Sequence, residues 1–296
     1  MARKRPVRQI ANATGTLSEK AMLIRLNIGQ WTAKKQEKAV SSKAESDNFA
    51  KAGTLSTRKL LIAKEAMQSV NAIVSLARSF HQENTLPWHD NGSRILPATN
   101  YMPYMEEMRK LKSQFDSAVQ QLITNYPDYI LGAKKDLGSL YNEEDYPTQA
   151  MLSAKYRFIF SVDPMPQAQD FRISLQGDEV NHIQKDIENR LKVAEEAAMD
   201  DLWRRMQEVV QKLRDKMDEG KDAKFKNSII GNIEELTELI PRLNITGDPV
   251  MDKMCKQIER TLVTVDPVDL REDDDYKADV KDDAQEILDA MAAYCG

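Results

Sequence analysis

His81, Glu83, His89 and Asp90 come nearest, by type and spacing, to a reaction centre in this chain. Two imidazoles and two carboxylates suit Zn2+ or another divalent transition metal. Their spacing, His81-x-Glu83 followed by His89-Asp90, matches no established ligand motif, and a hydrated helix end with a polar loop explains it equally well. The one other histidine is His182. Cys255 stands among Met251, Met254 and Ile258 at helical spacing, which reads as a small core residue rather than a nucleophile. With Cys295 as the second cysteine, neither a disulfide scaffold nor a four-cysteine zinc site is available. The carboxylate runs Glu143-Glu144-Asp145 and Asp273-Asp274-Asp275 lack the alternation and central glycine of a calcium loop and read as helix N-termini. No phosphate-binding glycine loop, dinucleotide fingerprint, nucleophile elbow or H-E-x-x-H helix occurs. A non-enzymatic protein without a cofactor is the expectation. A metal-dependent enzyme at His81, Glu83, His89 and Asp90 is the alternative.

Two other groups of side chains suit binding. Arg3, Lys4, Arg5 and Arg8, with Lys34, Lys35 and Lys38 further on, could track nucleic acid phosphates. Residues 1–60 carry 13 basic against four acidic side chains. Trp31 is the sole nearby aromatic for base stacking, and no base-reading module is recognisable. A solubilising tail remains the other reading of residues 1–18. The second group is Trp88 and Arg94 in an aperiodic segment, together with Trp203-Arg204-Arg205. Tryptophan and arginine are common interface anchors, although Trp203 fits a core position as well. Residues 265–296 carry three basic against 11 acidic side chains, so the overall net charge of −5 is a remainder between a basic and an acidic end.

These residues must be positioned mainly by helices. Eleven glycines in 296 residues is about half the usual usage, which argues against a turn-rich β fold. From Val180 to Met217 no glycine or proline intervenes, and the apolar stripe predicts one helix of about 40 residues, nearly straight and packed in a bundle. Helices are also predicted over 32–47, 57–81, 101–125, 127–137, 147–154, 225–240, 248–263 and 275–294. Asn100 is read as a cap for the helix after it, and Asp248-Pro249 as the cap and first turn of another. Alternation of apolar and polar residues predicts strands near 22–28, 155–162 and 170–175. Residues 82–100 read as an ordered loop. The expected class is α+β, strongly α-dominated: an elongated helical bundle with a small two- to three-stranded antiparallel sheet. Its divisions are a flexible basic arm (1–18), a helical body with the sheet (19–263), and an acidic linker with a C-terminal helix (264–296). No apolar run reaches the length of a membrane span and no secretory signal is legible, so a cytoplasmic protein with no membrane partner is expected.

Three segments carry a resemblance. They are Thr85-Leu-Pro-Trp-His-Asp-Asn-Gly-Ser-Arg-Ile-Leu-Pro-Ala-Thr-Asn-Tyr101, Phe158-Ile-Phe-Ser-Val-Asp-Pro-Met-Pro166 with Asp170-Phe-Arg172, and Leu243-Asn-Ile-Thr-Gly-Asp-Pro249. Together they resemble an uncharacterised family of bacteriophage and mobile-element proteins encoded near MoxR-type AAA+ ATPases. The resemblance transfers no functional residue. It implies a phage or plasmid origin and a partner ATPase that supplies any energy coupling. The function expected on all these grounds is protein–protein interaction and self-assembly as a homo-oligomer, with an AAA+ ATPase or host protein as a further partner. The alternative binding function is association with nucleic acid through the basic N-terminal region.

Overall fold

Among the described residues, uninterrupted amphipathic stretches become helices, and the alternating stretches near 22–28 and 155–162 become strands. The structure, a computed structural model, describes residues 16–88, 92–168, 177–218 and 227–294. In chain order the elements begin with α1 (Leu17–Lys20), β1 (Ala21–Gly29), β2 (Lys34–Gln36), α2 (Lys38–Asp47), β3 (Arg58–Leu60) and α3 (Gln68–Glu83). Next come β4 (Leu86–Pro87), β5 (Ser93–Pro97), α4 (Tyr101–Leu137), α5 (Gln149–Ser153) and β6 (Arg157–Pro164). The remainder is helical: α6 (Gly177–Asp218), α7 (Asn227–Leu243), α8 (Pro249–Ile258), α9 (Asp269–Glu272) and α10 (Asp274–Met291). The α-dominated α+β class is therefore the observed one. A four-stranded sheet has the order β4-β5-β1-β6, and β2 and β3 form a separate antiparallel pair. No helix among the described residues is long and apolar enough to cross a membrane. The predicted strand at 170–175, the arginines and lysine at 3–8, His89, Asp90 and Cys295 lie outside the described residues.

The chain divides into two units. The first comprises residues 1–25, 82–104 and 161–296, and the second residues 26–81 and 105–160. In the first unit, β1 and β5 pair antiparallel with Leu23 opposite Ile95 and Ile24 opposite Arg94. The helical part is built around α6, whose 42 residues extend about 60 Å at 1.5 Å per residue. Ala198, Leu202, Met206, Leu213 and Met217 are buried along it, as the stripe predicts. The segment expected to stand apart at 264–296 contributes α10 to this core: α10 packs along α6 and buries Val280, Ala284, Ile287, Leu288 and Met291. Asp273 starts α10 by accepting hydrogen bonds from the Asp275 and Tyr276 amides at 2.9 and 3.0 Å. Asp248 caps α8 through the Val250 amide at 2.9 Å, with Pro249 in the first turn.

The second unit departs further from expectation. One helix, α4, replaces the two predicted over 101–125 and 127–137, and Pro127 lies inside it. A proline within a helix removes the donor to the carbonyl four residues earlier. Here that carbonyl belongs to Ile123, and it accepts instead from Gln149 Nε2 at 2.9 Å. The side chain that preserves α4 therefore comes from α5, where Thr148 caps the Met151 amide. Asn100, read as a cap for this helix, instead donates to the Asn84 carbonyl at 2.9 Å and is fully buried. Aromatic packing holds the second unit together. Phe115 meets Phe158 at 5.4 Å and Tyr156 at 6.3 Å, and Trp31 stands edge-on to Tyr126 at 5.8 Å.

Two further segments were misread in kind. The helix predicted over 32–47 begins only at Lys38, because Lys34–Gln36 pair with Arg58–Leu60 across the β2-β3 ladder. Residues 82–100, read as a loop, hold β4 and β5, with Leu86 opposite Ile95. Leu86, Ile95 and Leu96 are fully buried, which gives this segment its order.

Candidate interaction site

The residues singled out from sequence in the first unit are largely used within it. Arg94 donates from Nε to Thr85 Oγ1 at 2.6 Å and from its terminal nitrogen to the Thr85 carbonyl at 3.0 Å. Arg205 donates to the carbonyls of Glu83, Gln82 and Thr85 at 2.5, 3.2 and 2.8 Å, and pairs with Asp201 at 2.6 Å. Two guanidinium groups thus close the carbonyl end of α3, where cations are favoured. Burial, then the neighbouring Arg205 charge, lowers the Arg94 pKa from its ordinary value. The expectation that Arg94 and Arg205 offer their donors to a partner does not fit this internal use. Trp203 is completely buried and stacks on Tyr294 at 4.7 Å. It is a core residue, and so the placement expected of an interface anchor is not found. Trp88 is half-buried against the same core. Arg204 is exposed and pairs along its own helix with Asp201 and with Glu208, the latter at 2.7 Å.

The metal candidates are not assembled by what the structure describes. His81 is buried within α3, and Glu83 ends that helix with its carbonyl held by Arg205. Desolvation, then Glu235, raises the Glu83 pKa. Among the described residues no group of three or more His, Cys, Asp or Glu stands close enough to hold a metal ion. Cys255 is buried with its thiol 3.6 Å from Met206 Sδ, and burial pushes its pKa up to about 12. Such a thiol does not ionise near neutrality and is inert as a nucleophile.

Side chains that sequence reasoning passed over define a site in the second unit. Lys59, on β3, has a side chain only 7% exposed, and its ammonium reaches three acceptors. These are Asp145 Oδ2 at 2.8 Å, Glu37 Oε2 at 3.0 Å and the Leu140 carbonyl at 2.6 Å. Asp145 is aimed by a 3₁₀ turn, Glu143–Asp145, whose start is capped by Asn142 accepting from the Glu144 amide at 3.0 Å. Lys35, itself exposed, adds a second cation at 3.5 Å from Asp145, and Lys34 is also exposed. The hydrogen bond that Lys59 donates to Asp145 raises the Lys59 pKa against the opposing effect of burial, and the same bond lowers that of Asp145. An ammonium held this way stays protonated, so Lys59 fastens segments together and does not act as an amine nucleophile.

Above this hub lies a cleft of about 410 Å3. Its walls are mainly apolar: Val40 of α2, Leu60 of β3 and Ile62 after it, Ala133 and Leu137 at the end of α4, and Leu140 in the turn that follows. Gly138, with φ of +51°, turns the chain out of α4 at this point, a conformation that costs glycine little. Arg58 and Asp136, both exposed, bring opposite charges to the lining.

The other end of α2 carries a bulky residue at positive φ. The Phe49 amide bonds to the Ser46 carbonyl at 3.2 Å, and the Ala50 amide bonds to the Glu45 carbonyl at 2.9 Å. This pair of bonds is the glycine-type helix ending, in which the residue after the cap is left-handed. Phe49 occupies that position with φ of +52° and is 99% exposed. A bulky side chain is disfavoured in that conformation, and an exposed ring gains nothing from burial. The loop after it is nonetheless firmly held. The buried Glu45 carboxylate accepts from the Leu55 amide at 2.8 Å, and the amides of Leu55 and Gly53 lower its pKa. Thr57 donates to Ser41 Oγ at 2.9 Å, while its carbonyl accepts from the Glu37 amide at 2.9 Å. A legible signal existed in the sequence, since Phe49 is the sole large apolar residue between Val40 and Leu55. In comparisons with known proteins, no family model, no curated protein and no solved structure matches the chain.

Proposed function

We propose that the protein works by binding another protein chain, and that the docking element is the α2–β3 loop carrying Phe49. The observation that carries this reading is the coincidence of full exposure, left-handed backbone and rigid support at one phenylalanine. A left-handed L-residue costs about 1–2 kcal/mol. Within its own chain the Phe49 ring recovers none of this cost through burial. A partner that covers the ring recovers it: fully burying a phenylalanine is worth about 1.5–3 kcal/mol. Preorganisation by Glu45, Ser41 and Thr57 lowers the ordering cost of docking. Single exposed apolar residues elsewhere, such as Val193 and Leu131, lie on regular helices and need no such account. Given the family resemblance, an AAA+ ATPase or a host protein is a partner to try alongside a second copy of the chain.

Site-specific photo-crosslinking tests this directly. A benzophenone amino acid placed at Phe49 in cells is expected to give a discrete protein adduct, while the same group at Val193 gives none. Absence of any protein adduct at Phe49, with the Phe49 and Val193 probes equally incorporated, would contradict the reading.

A further inference from the structure

We infer that the partner of the Phe49 loop is a second copy of this chain, whose Phe49 enters the cleft beside Lys59 in a reciprocal, two-fold exchange. This rests on the proposed docking role of the loop and names its occupant. The chain displays both halves of a fit that it does not make with itself. One half is an aromatic ring 99% exposed on a rigid support. The other is an apolar cleft of about 410 Å3, within the size range of natural binding pockets and ample for a phenyl group. The flanking charges match in sign. Phe49 is flanked by Asp47, the last residue of α2, and by Lys51, and all three are exposed. Glu37 and Lys59 also line the cleft but pair with each other, so the exposed charges it presents are Arg58 and Asp136. In the exchange Asp47 meets Arg58 and Lys51 meets Asp136, opposite charges in each case, and all four side chains are exposed. A two-fold arrangement buries two rings per dimer and leaves no unfilled copy of either half, which closes the assembly at two chains.

The test is light scattering and sedimentation of the full chain with three variants. Wild type is expected to be a dimer of 33.7 kDa protomers with a concentration-dependent dissociation. Phe49→Ala removes both rings and is expected to weaken the dimer by about a hundredfold, taking about tenfold per buried aromatic anchor. Ala63→Trp, at an exposed position in the cleft lining, fills the cleft and is expected to weaken it similarly. A mixture of Phe49→Ala and Ala63→Trp chains retains one ring and one open cleft per heterodimer. It is expected to associate about tenfold more tightly than either variant alone. Lys51→Glu is expected to weaken association, and Lys51→Glu with Asp136→Lys to restore it. A monomer at all concentrations, open-ended growth, or a mixture no tighter than its components overturns the exchange. A monomer that still gives a Phe49 adduct with a different protein overturns the second-copy partner and leaves the docking role standing.

Discussion

Trp203 in the first unit and Phe49 in the second are treated oppositely by the fold. Trp203 is completely buried, stacked on Tyr294, and surrounded by a methionine-rich core. Phe49 is fully exposed and held in a backbone conformation that suits glycine. Polar groups follow the same division. Arg94 and Arg205 are consumed in closing the end of α3, whereas Lys51, Arg58, Asp47 and Asp136 stay exposed around the loop and cleft. Tryptophan and arginine stand out in the sequence because those residue types anchor interfaces. The lesson is that residue type marks a large contact area, and only placement decides whether the contact is internal.

The largest expected effect breaks the first half of this contrast. Trp203→Ala should destabilise the first unit by about 3–5 kcal/mol, measured by denaturant unfolding, and leave a Phe49 adduct intact in whatever folded fraction remains. In the second unit, Lys59→Met leaves Glu37 and Asp145 facing each other without their shared cation. A loss of about 3 kcal/mol is expected for removing one member of a buried pair. Adding Glu37→Gln and Asp145→Asn should recover much of it.

The pH dependence sharpens the same point. The folded pKa values of Asp145 and Glu45 lie below the ordinary carboxylate value. Their contribution is therefore present above the unfolded value near pH 4 and is lost as pH falls through the lower folded values. Lys59 is shifted upward, so its contribution is present below the unfolded lysine value of about 10.4 and is lost as pH rises through the higher folded value. Unfolding midpoints of the second unit are thus expected to plateau between these limits. Asp145→Asn should flatten both edges.

The smallest effect is the most discriminating. Phe49→Gly relieves the left-handed backbone and should raise stability by up to about 1 kcal/mol while weakening association about a hundredfold, as Phe49→Ala does. A destabilised Phe49→Gly chain would mean that the ring serves the fold rather than a partner.

The α-dominated class, the long α6, the strand β1 and the Asp248-Pro249 start of α8 were legible because each depends on local pattern alone. Continuity of α4 through Pro127 was not, since it depends on Gln149 satisfying Ile123 across the intervening chain. The short strands β2 and β3 are charged and lack an alternating signal. Asp145 was read with its neighbours as a hydrated helix start, which Glu143 and Glu144 are. Its capture by Lys59 is a contact between residues distant in sequence. Phe49 was visible as an isolated apolar residue, but its exposure depends on a helix ending usually signalled by glycine.

Hydrogen–deuterium exchange of the wild-type chain at two concentrations, one above and one below the dimer midpoint, tests the central claim most directly. The amides of residues 48–63 and 133–140 are expected to slow on concentration, with those of α6 unchanged and with no slowing in Phe49→Ala. Equal exchange of residues 48–63 at both concentrations, or slowing that persists in Phe49→Ala, would contradict it.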